Sequence, residues 1–178
     1  MDFHNLILNR RSIRKYKSQE IPADKVKLIL ESALVSPSSK GKTPWQFVVV
    51  DDKEMLSQLS KCKDFGTKPL ETAPIAVVIT ADPLVSDAWV EDASIAATFL
   101  QLQAEDFGLG SCWIQVKDRF REDGTPSEDF VKSLLNIPPD IRILCIVTIG
   151  YKDEIRKPYD PDKCKWEKVH IGTWRTED

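Results

Sequence analysis

The sequence is poor in the groups that hydrolytic and metal-dependent sites require. Its 178 residues include only two histidines, His4 and His170, one near each end. No Ser/His/Asp or Cys/His arrangement and no paired-carboxylate motif accompanies them, so nucleophilic hydrolysis lacks its usual apparatus. The four cysteines, Cys62, Cys112, Cys145 and Cys164, have no close pair among them. That spacing excludes a zinc cluster and a Cys-x-x-Cys redox pair, and reduced thiols in a cytosol are the plain reading. Cys112 and Cys145 lie within apolar runs and are expected in the core. No stretch approaches the roughly 20 apolar residues of a membrane span, and the opening Met1-Asp2-Phe3-His4 does not read as a secretory signal. The expectation is a cytoplasmic protein without membrane contact. A net charge of −3 argues against bulk attraction to nucleic acid, so any anion site must be local.

What is present suits one globular domain spanning residues 1–178. The chain is 42% hydrophobic and 30% charged, enough apolar surface for a core and enough charge for solubility. Phe3, Leu6 and Ile7 predict a short helix over 2–9, and a basic run from Arg10 to Lys17 follows. Pro22 and Asp24 open a second helix that must stop near Ser36-Pro37. A loop over 36–44 feeds a strand at Trp45–Val50, a helix is predicted over 53–62, and an irregular stretch runs to Pro74. Ile75–Ile79 reads as a buried strand. From Ala88 to Phe107 the apolar residues, among them Ile95, Phe99 and Leu102, cover almost the whole helix circumference, so a second subunit is expected to supply part of the cover. Gly108-Leu109-Gly110 is read as the stop of that helix, with a strand from Ser111 to Ile114, a helix over 126–135, and the clearest strand at 141–150. The polar, tryptophan-bearing tail from Tyr151 reads as an extended C-terminal arm. These elements predict an α+β fold with a mixed central sheet of about four or five strands flanked by helices.

Three short segments carry chemistry. Arg10-Arg11-Ser12-Ile13-Arg14 can make several charge-assisted hydrogen bonds to a phosphate, although in isolation a solvated basic turn is the stronger reading. Pro37-Ser38-Ser39 offers backbone donors and two hydroxyls to a planar ring, or is simply a tight helix-to-strand connection. Gly108-Leu109-Gly110 follows a helix and has no third glycine in register, which excludes a Rossmann nicotinamide site. A prosthetic group that does its own redox chemistry is compatible with the missing acid–base apparatus.

Together these segments resemble the nitroreductase family of flavin mononucleotide (FMN) enzymes. Arg10–Arg14 is similar to the opening signature, Ser36-Pro37-Ser38-Ser39 with Pro44-Trp45 to the second, and Gly108–Trp113 to the end of the central dimer helix with its following strand. Thr148-Ile149-Gly150-Tyr151 with Arg156-Lys157 resembles the last strand and a second basic pair. The resemblance covers residues 1 to about 160. It implies a homodimer with a tightly bound FMN in a cleft between subunits and NAD(P)H as transient donor. It implies that Arg10, Arg11, Ser12, Arg14, Arg156 and Lys157 hold the ribityl phosphate. Pro37, Ser38, Ser39 and Thr43 would approach from the other chain, and Ile114, Gln115 and Val116 would present backbone to the ring. The chemistry would be carried by FMN, with no catalytic side chain and no metal, and the acceptor would be a small electron-poor molecule of nitroaromatic or quinone type. Gly41 and Thr43 stand where the family usually has amides, and the Lys61–Thr72 stretch, with Phe65, Gly66 and Lys68, is the one candidate for a lid. The rival readings are a flavin-binding module without turnover, a dehalogenating or flavin-fragmenting branch of the family, and a structural protein whose basic turn is solvated.

Overall fold

The computed structural model describes residues 2–174. Six helices and four strands follow the order α1 (Phe3–Asn9), α2 (Ala23–Leu34), β1 (Trp45–Val50), α3 (Lys53–Leu59), α4 (Pro69–Thr72), β2 (Ile75–Ala81), α5 (Trp89–Asp106), β3 (Leu109–Gln115), α6 (Ser127–Leu135) and β4 (Arg142–Tyr151). Local chemistry sets most boundaries. Asp2 and Asp52 cap α1 and α3 by accepting the N–H groups of Asn5 (3.0 Å) and Met55 (2.8 Å). Asn136, at φ 53°, ends α6 in the left-handed conformation that asparagine tolerates. At the end of α5 only Gly108 turns left-handed, at φ 73°. Leu109 and Gly110 already belong to β3, so the expected three-residue stop is one residue long. The stretch expected to be irregular before Pro74 contains the single turn of α4, opened by Pro69 at its first position.

The sheet order is β1-β2-β4-β3, and all three pairings are antiparallel. The mixed sheet expected from the sequence therefore resolves into four antiparallel strands. A parallel partner appears in the isolated bridge between Ser12 and Ser111 at the β3 edge. The central strands β2 and β4 are buried on both faces, which explains why they read as unbroken apolar runs. Ile75, Val77 and Ile79 pack on one face with Ala93, Ala96, Ala97 and Leu100 of α5 and with Ile29 and Ala33 of α2. Ala76, Val78, Ile143 and Ile146 pack on the other with Leu56 and Leu59 of α3, Leu70 of α4 and Val131 of α6. Cys112 and Cys145 are buried as expected, and Cys62 joins them.

The helix α5 is not sheathed within one copy. Ala93, Ala96, Ala97, Leu100 and Ala104 face the sheet, while Ile95 and Phe99 remain 36% and 39% exposed on the opposite side. Small residues at most of the sheet-facing positions let α5 lie close to the strands, and Ile95 and Phe99 are turned outward. Phe3 and Ile7 of α1, which packs beside α5, are exposed as well. The arm beyond Tyr151 has two short 3₁₀ turns, at Pro161–Lys163 and Trp166–Lys168, and leaves Ile155, Trp166, Ile171 and Trp174 open to solvent.

A buried ion cluster joins α6 to the start of β4. Glu128 accepts both Arg142 Nε (2.8 Å) and a terminal guanidinium nitrogen (2.9 Å), and also the Ile143 N–H (3.0 Å), with Lys132 at 3.2 Å. Burial alone would raise the Glu128 carboxyl, but the Arg142, Ile143 and Lys132 hydrogen bonds outweigh it and hold it below its ordinary value. A lowered folded-state value gives stability that is full above the unfolded pKa of about 4.3 and is lost as pH falls through the folded value. Glu128→Gln should accordingly cost on the order of 2–3 kcal/mol in urea unfolding at pH 7. That difference should shrink as the pH is taken from 4 to 3; a constant difference would mean that the carboxylate charge contributes nothing.

Candidate functional site

The basic segment after α1 lies as an added strip on the sheet. Ile13 N–H donates to Ser111 O (2.9 Å) and Lys17 N–H to Tyr151 O (2.9 Å), and Tyr16 bridges to Lys152. Two glycines admit it. A Cβ on Gly110 would lie 2.7 Å from the Ile13 side chain, and one on Gly150 would lie 2.7 Å from Pro74 and 2.8 Å from Tyr16. Ile13 and Tyr16 are thereby sunk into the sheet surface, at 2% and 4% exposure. The Tyr16 hydroxyl donates to Ile13 O (2.6 Å) and shares a 2.8 Å hydrogen bond with the Thr148 hydroxyl, which ties residue 16 to β4. With these two side chains anchored inward, the intervening and preceding residues carry Arg10, Ser12 and Arg14 at the surface.

The segment after β4 joins this strip. Asp153 N–H donates to Lys15 O (3.0 Å), Tyr159 N–H to Leu8 O (2.8 Å), and Glu154 accepts the Arg14 N–H. Arg11 donates to Lys157 O and lies over the Tyr159 ring at 4.5 Å, while Arg156 is paired with Glu154 at 2.7 Å. The structure thus brings Arg10–Arg14 together with Arg156-Lys157, as the resemblance implies, but gives them different employment. Arg11 is committed to holding the two segments to each other, and Arg156 is engaged within its own segment by Glu154, which also accepts the Arg14 N–H. Among the described residues, Arg10 and Arg14 have no carboxylate partner for their guanidinium groups. Charge converges on one spot of β3: burial raises the Cys112 thiol above its ordinary value, and the ionic groups acting on it are Arg14, Glu154, Arg10 and Lys63.

The edge of β3 continues from that spot toward Val116. Ser111 O faces outward to Ile13, and Val116 N–H faces inward to Leu144 O at 3.2 Å. Alternation along an antiparallel strand then directs the Trp113 and Gln115 backbone groups outward and those of Ile114 and Val116 toward β4. Of Ile114, Gln115 and Val116, Gln115 is the one whose backbone groups face outward. Its side chain is fixed along the edge, accepting Trp113 Nε1 (2.9 Å) and donating to Lys117 O (3.0 Å).

Pro37, Ser38, Ser39 and Thr43 lie elsewhere. They precede β1, the opposite edge strand, and three strand spacings at roughly 4.8 Å put the two edges about 14 Å apart. This loop is held by Asp92, a 2%-exposed carboxylate in the first turn of α5 that accepts the Ser39 N–H (2.7 Å) and the Ser86 hydroxyl (2.8 Å). Lys40, Gly41 and Thr43 take φ values of 54°, 66° and 44°. A β-branched residue at φ 44° is strained, and Thr43 is kept there by its N–H bond to Ser38 Oγ (2.9 Å). Asp92, Glu154 and Lys63 escaped sequence reasoning. Each is one charged residue among many, and Asp92 shares the first turn of α5 with a second acid, Glu91.

An antiparallel sheet covered on both faces by helices, with a cationic strip laid along one edge, defines the class. A sequence model described as the Nitroreductase family matches residues 7–75 and 62–151, and the chain belongs to that family. It is 45% identical to a solved FMN-dependent nitroreductase from Clostridium difficile R20291, which superimposes with a TM-score of 0.94 over 97% of this chain and 100% of that one. A protein of Archaeoglobus fulgidus provisionally named NADH dehydrogenase/NAD(P)H nitroreductase is 34% identical, with 95% of this chain and 97% of the relative covered. More distant is an iodotyrosine deiodinase of Thermotoga neapolitana, 23% identical over 88% of this chain and 91% of the relative.

Gly110→Ala should lift the strip from the sheet: amide hydrogen exchange over residues 12–17 should accelerate at least about tenfold while β2 amides stay protected. Unchanged exchange would show that the strip does not depend on this close approach. Thr43→Asn should relieve about 1 kcal/mol of left-handed strain and raise Tm by roughly 2–4 °C, read by calorimetry.

Proposed function

We propose that this chain is an oxidoreductase that binds FMN in a site shared by two copies and uses it to pass electrons from NAD(P)H to a small electron-poor acceptor. The observation that carries the reading is the division of the site between opposite sheet edges. The Arg10–Arg14 strip and the open backbone of Gln115 lie at the β3 edge, and the Ser38–Thr43 loop lies at the β1 edge of the same copy. A second copy that brings its own loop to the first copy's β3 edge completes the set. The outward stripe of Ile95 and Phe99, the exposed Phe3 and Ile7 and the apolar residues of the arm supply surface for that association. The first chain's Arg10, Ser12 and Arg14, with Lys157, hold the ribityl phosphate as charge-assisted donors, and Arg11 and Arg156 act by fixing the segment that carries Lys157.

The residues fit the group. Arg10 and Arg14 lack carboxylate partners among the described residues, Gly110 leaves room for the strip at the strand, and no proton-donating side chain is needed where backbone N–H groups face the cofactor. When bound, FMN supplies the capacity to accept a hydride and pass on its electrons. The chain binds and orients it, sets its polar surroundings through the Gln115 backbone, and leaves one face of the edge open to donor and acceptor in turn. Among the described residues no helix is long and apolar enough to cross a membrane, and all four cysteines are free.

The relation to an iodotyrosine deiodinase favours one second reading, a dehalogenating branch of the family. Turnover of halogenated phenols in preference to nitroaromatics and quinones, assayed side by side, would select it. The primary test is direct. Purified protein should be yellow and should bleach when NADH or NADPH is added under nitrogen, and the doubly substituted Arg10→Ala, Arg14→Ala protein should retain less than about one tenth of the flavin while remaining folded by circular dichroism. Equal flavin content in the two proteins would remove the phosphate site.

A further inference from the structure

Beyond the phosphate strip, the ring end of the β3 edge is bordered by two loops that are tied to each other. Arg121 Nε donates to Lys61 O (3.2 Å) and Glu122 N–H to Asp64 Oδ1 (3.0 Å), which joins residues 61–68 to residues 117–125. Each loop carries an aromatic side chain in solvent, Phe65 at 86% and Phe120 at 60% exposure. Each also carries a cation with no carboxylate partner among the described residues, Lys63 and Arg119. The neighbouring charges are otherwise engaged: Lys117 pairs with Asp118, and Arg121 with Asp123 at 3.0 Å. Asp64 is occupied by the Glu122 N–H, and Glu122 shares with Lys61 and Lys63 the pocket between the loops. Lys63 is half-buried, and burial, joined by the like charge of Arg119, holds its ammonium below its ordinary value. Two cations without carboxylate partners among the described residues, on tied loops that also carry two exposed aromatic side chains, offer an attractive surface to a flat anion.

We propose that Lys63 and Arg119, with Phe65 and Phe120, are specificity-determining residues that select planar aromatic acceptors bearing a negative charge. The proposal rests on the flavin lying along the β3 edge, as set out above, and gives its acceptor a chemical class. The aromatic pair supplies ring contacts at low conformational cost, and the cations favour a carboxylate or phenolate substituent over its neutral analogue.

The experiment uses the flavin-loaded protein and two unreactive probes, benzoate and benzamide, whose dissociation constants are read from the perturbation of flavin absorbance. Benzoate should bind at least about tenfold more tightly than benzamide, and the preference should weaken as salt is raised from 20 to 500 mM. Lys63→Gln with Arg119→Gln should bring the two constants to within about twofold. Phe65→Ala with Phe120→Ala should weaken both probes alike by about tenfold. Equal binding of the probes to the unsubstituted protein, or a benzoate preference that survives loss of both cations, would overturn the proposal. So would a rise in the NAD(P)H dissociation constant on loss of the cations with benzoate unaffected, which would assign them to the donor's phosphates. Flavin content and bleaching by NAD(P)H, measured on the same samples, separate these outcomes from failure of the flavin site, with which the proposal would fall.

Discussion

Everything placed at the site depends on one close approach, that of residues 12–17 to the exposed end of the sheet. Ile13 fits over Gly110 and Tyr16 over Gly150 with no room for a Cβ in either place. Hydrogen bonds from Ile13 to Ser111 and from Lys17 to Tyr151 then fix the register of the strip. A basic segment free in solvent would pay a large entropic cost to wrap a phosphate. Anchored through its two apolar members, it offers Arg10, Ser12 and Arg14 already in position. The segment after β4 is held to the same strip by Asp153, Glu154 and Tyr159, so three remote stretches of sequence become one rigid cationic edge.

The helix α5 shows a second division of labour. Its alanines allow close packing on the sheet, while Ile95 and Phe99 point away from the core. The same helix holds the Ser38–Thr43 loop through Asp92, whose two short hydrogen bonds compensate its burial. A single helix therefore carries both the exposed apolar stripe and the anchor for the Ser38–Thr43 loop.

Much of the frame was legible in the chain. The strands at 75–81 and 142–151 are apolar runs buried on both faces, the strand at 45–50 is a β-rich run at the sheet edge, and α2, α3, α5 and α6 announced themselves by period, caps and breakers. The misplaced start of β3 came from treating Gly110 as a turn residue. It is present because Ile13, nearly a hundred residues earlier, needs its missing side chain. The sequence also suggested a helix buried on every side. The hydrophobic count was right, but only a three-dimensional arrangement tells which of those residues face the sheet and which await a partner.

By itself the sequence determined the element types, the basic and serine-bearing motifs, and the absence of hydrolytic machinery, because these follow from local periodicity and residue chemistry. Only the tertiary structure decided their employment. Arg11 clamps the segment after β4 to the strip, Arg156 pairs with Glu154 inside that segment, Gln115 has its backbone turned outward, and Asp92 anchors the Ser38–Thr43 loop. Such assignments depend on strand order, on which way each peptide unit faces, and on which charges find partners. Those are long-range properties that no window of neighbouring residues contains.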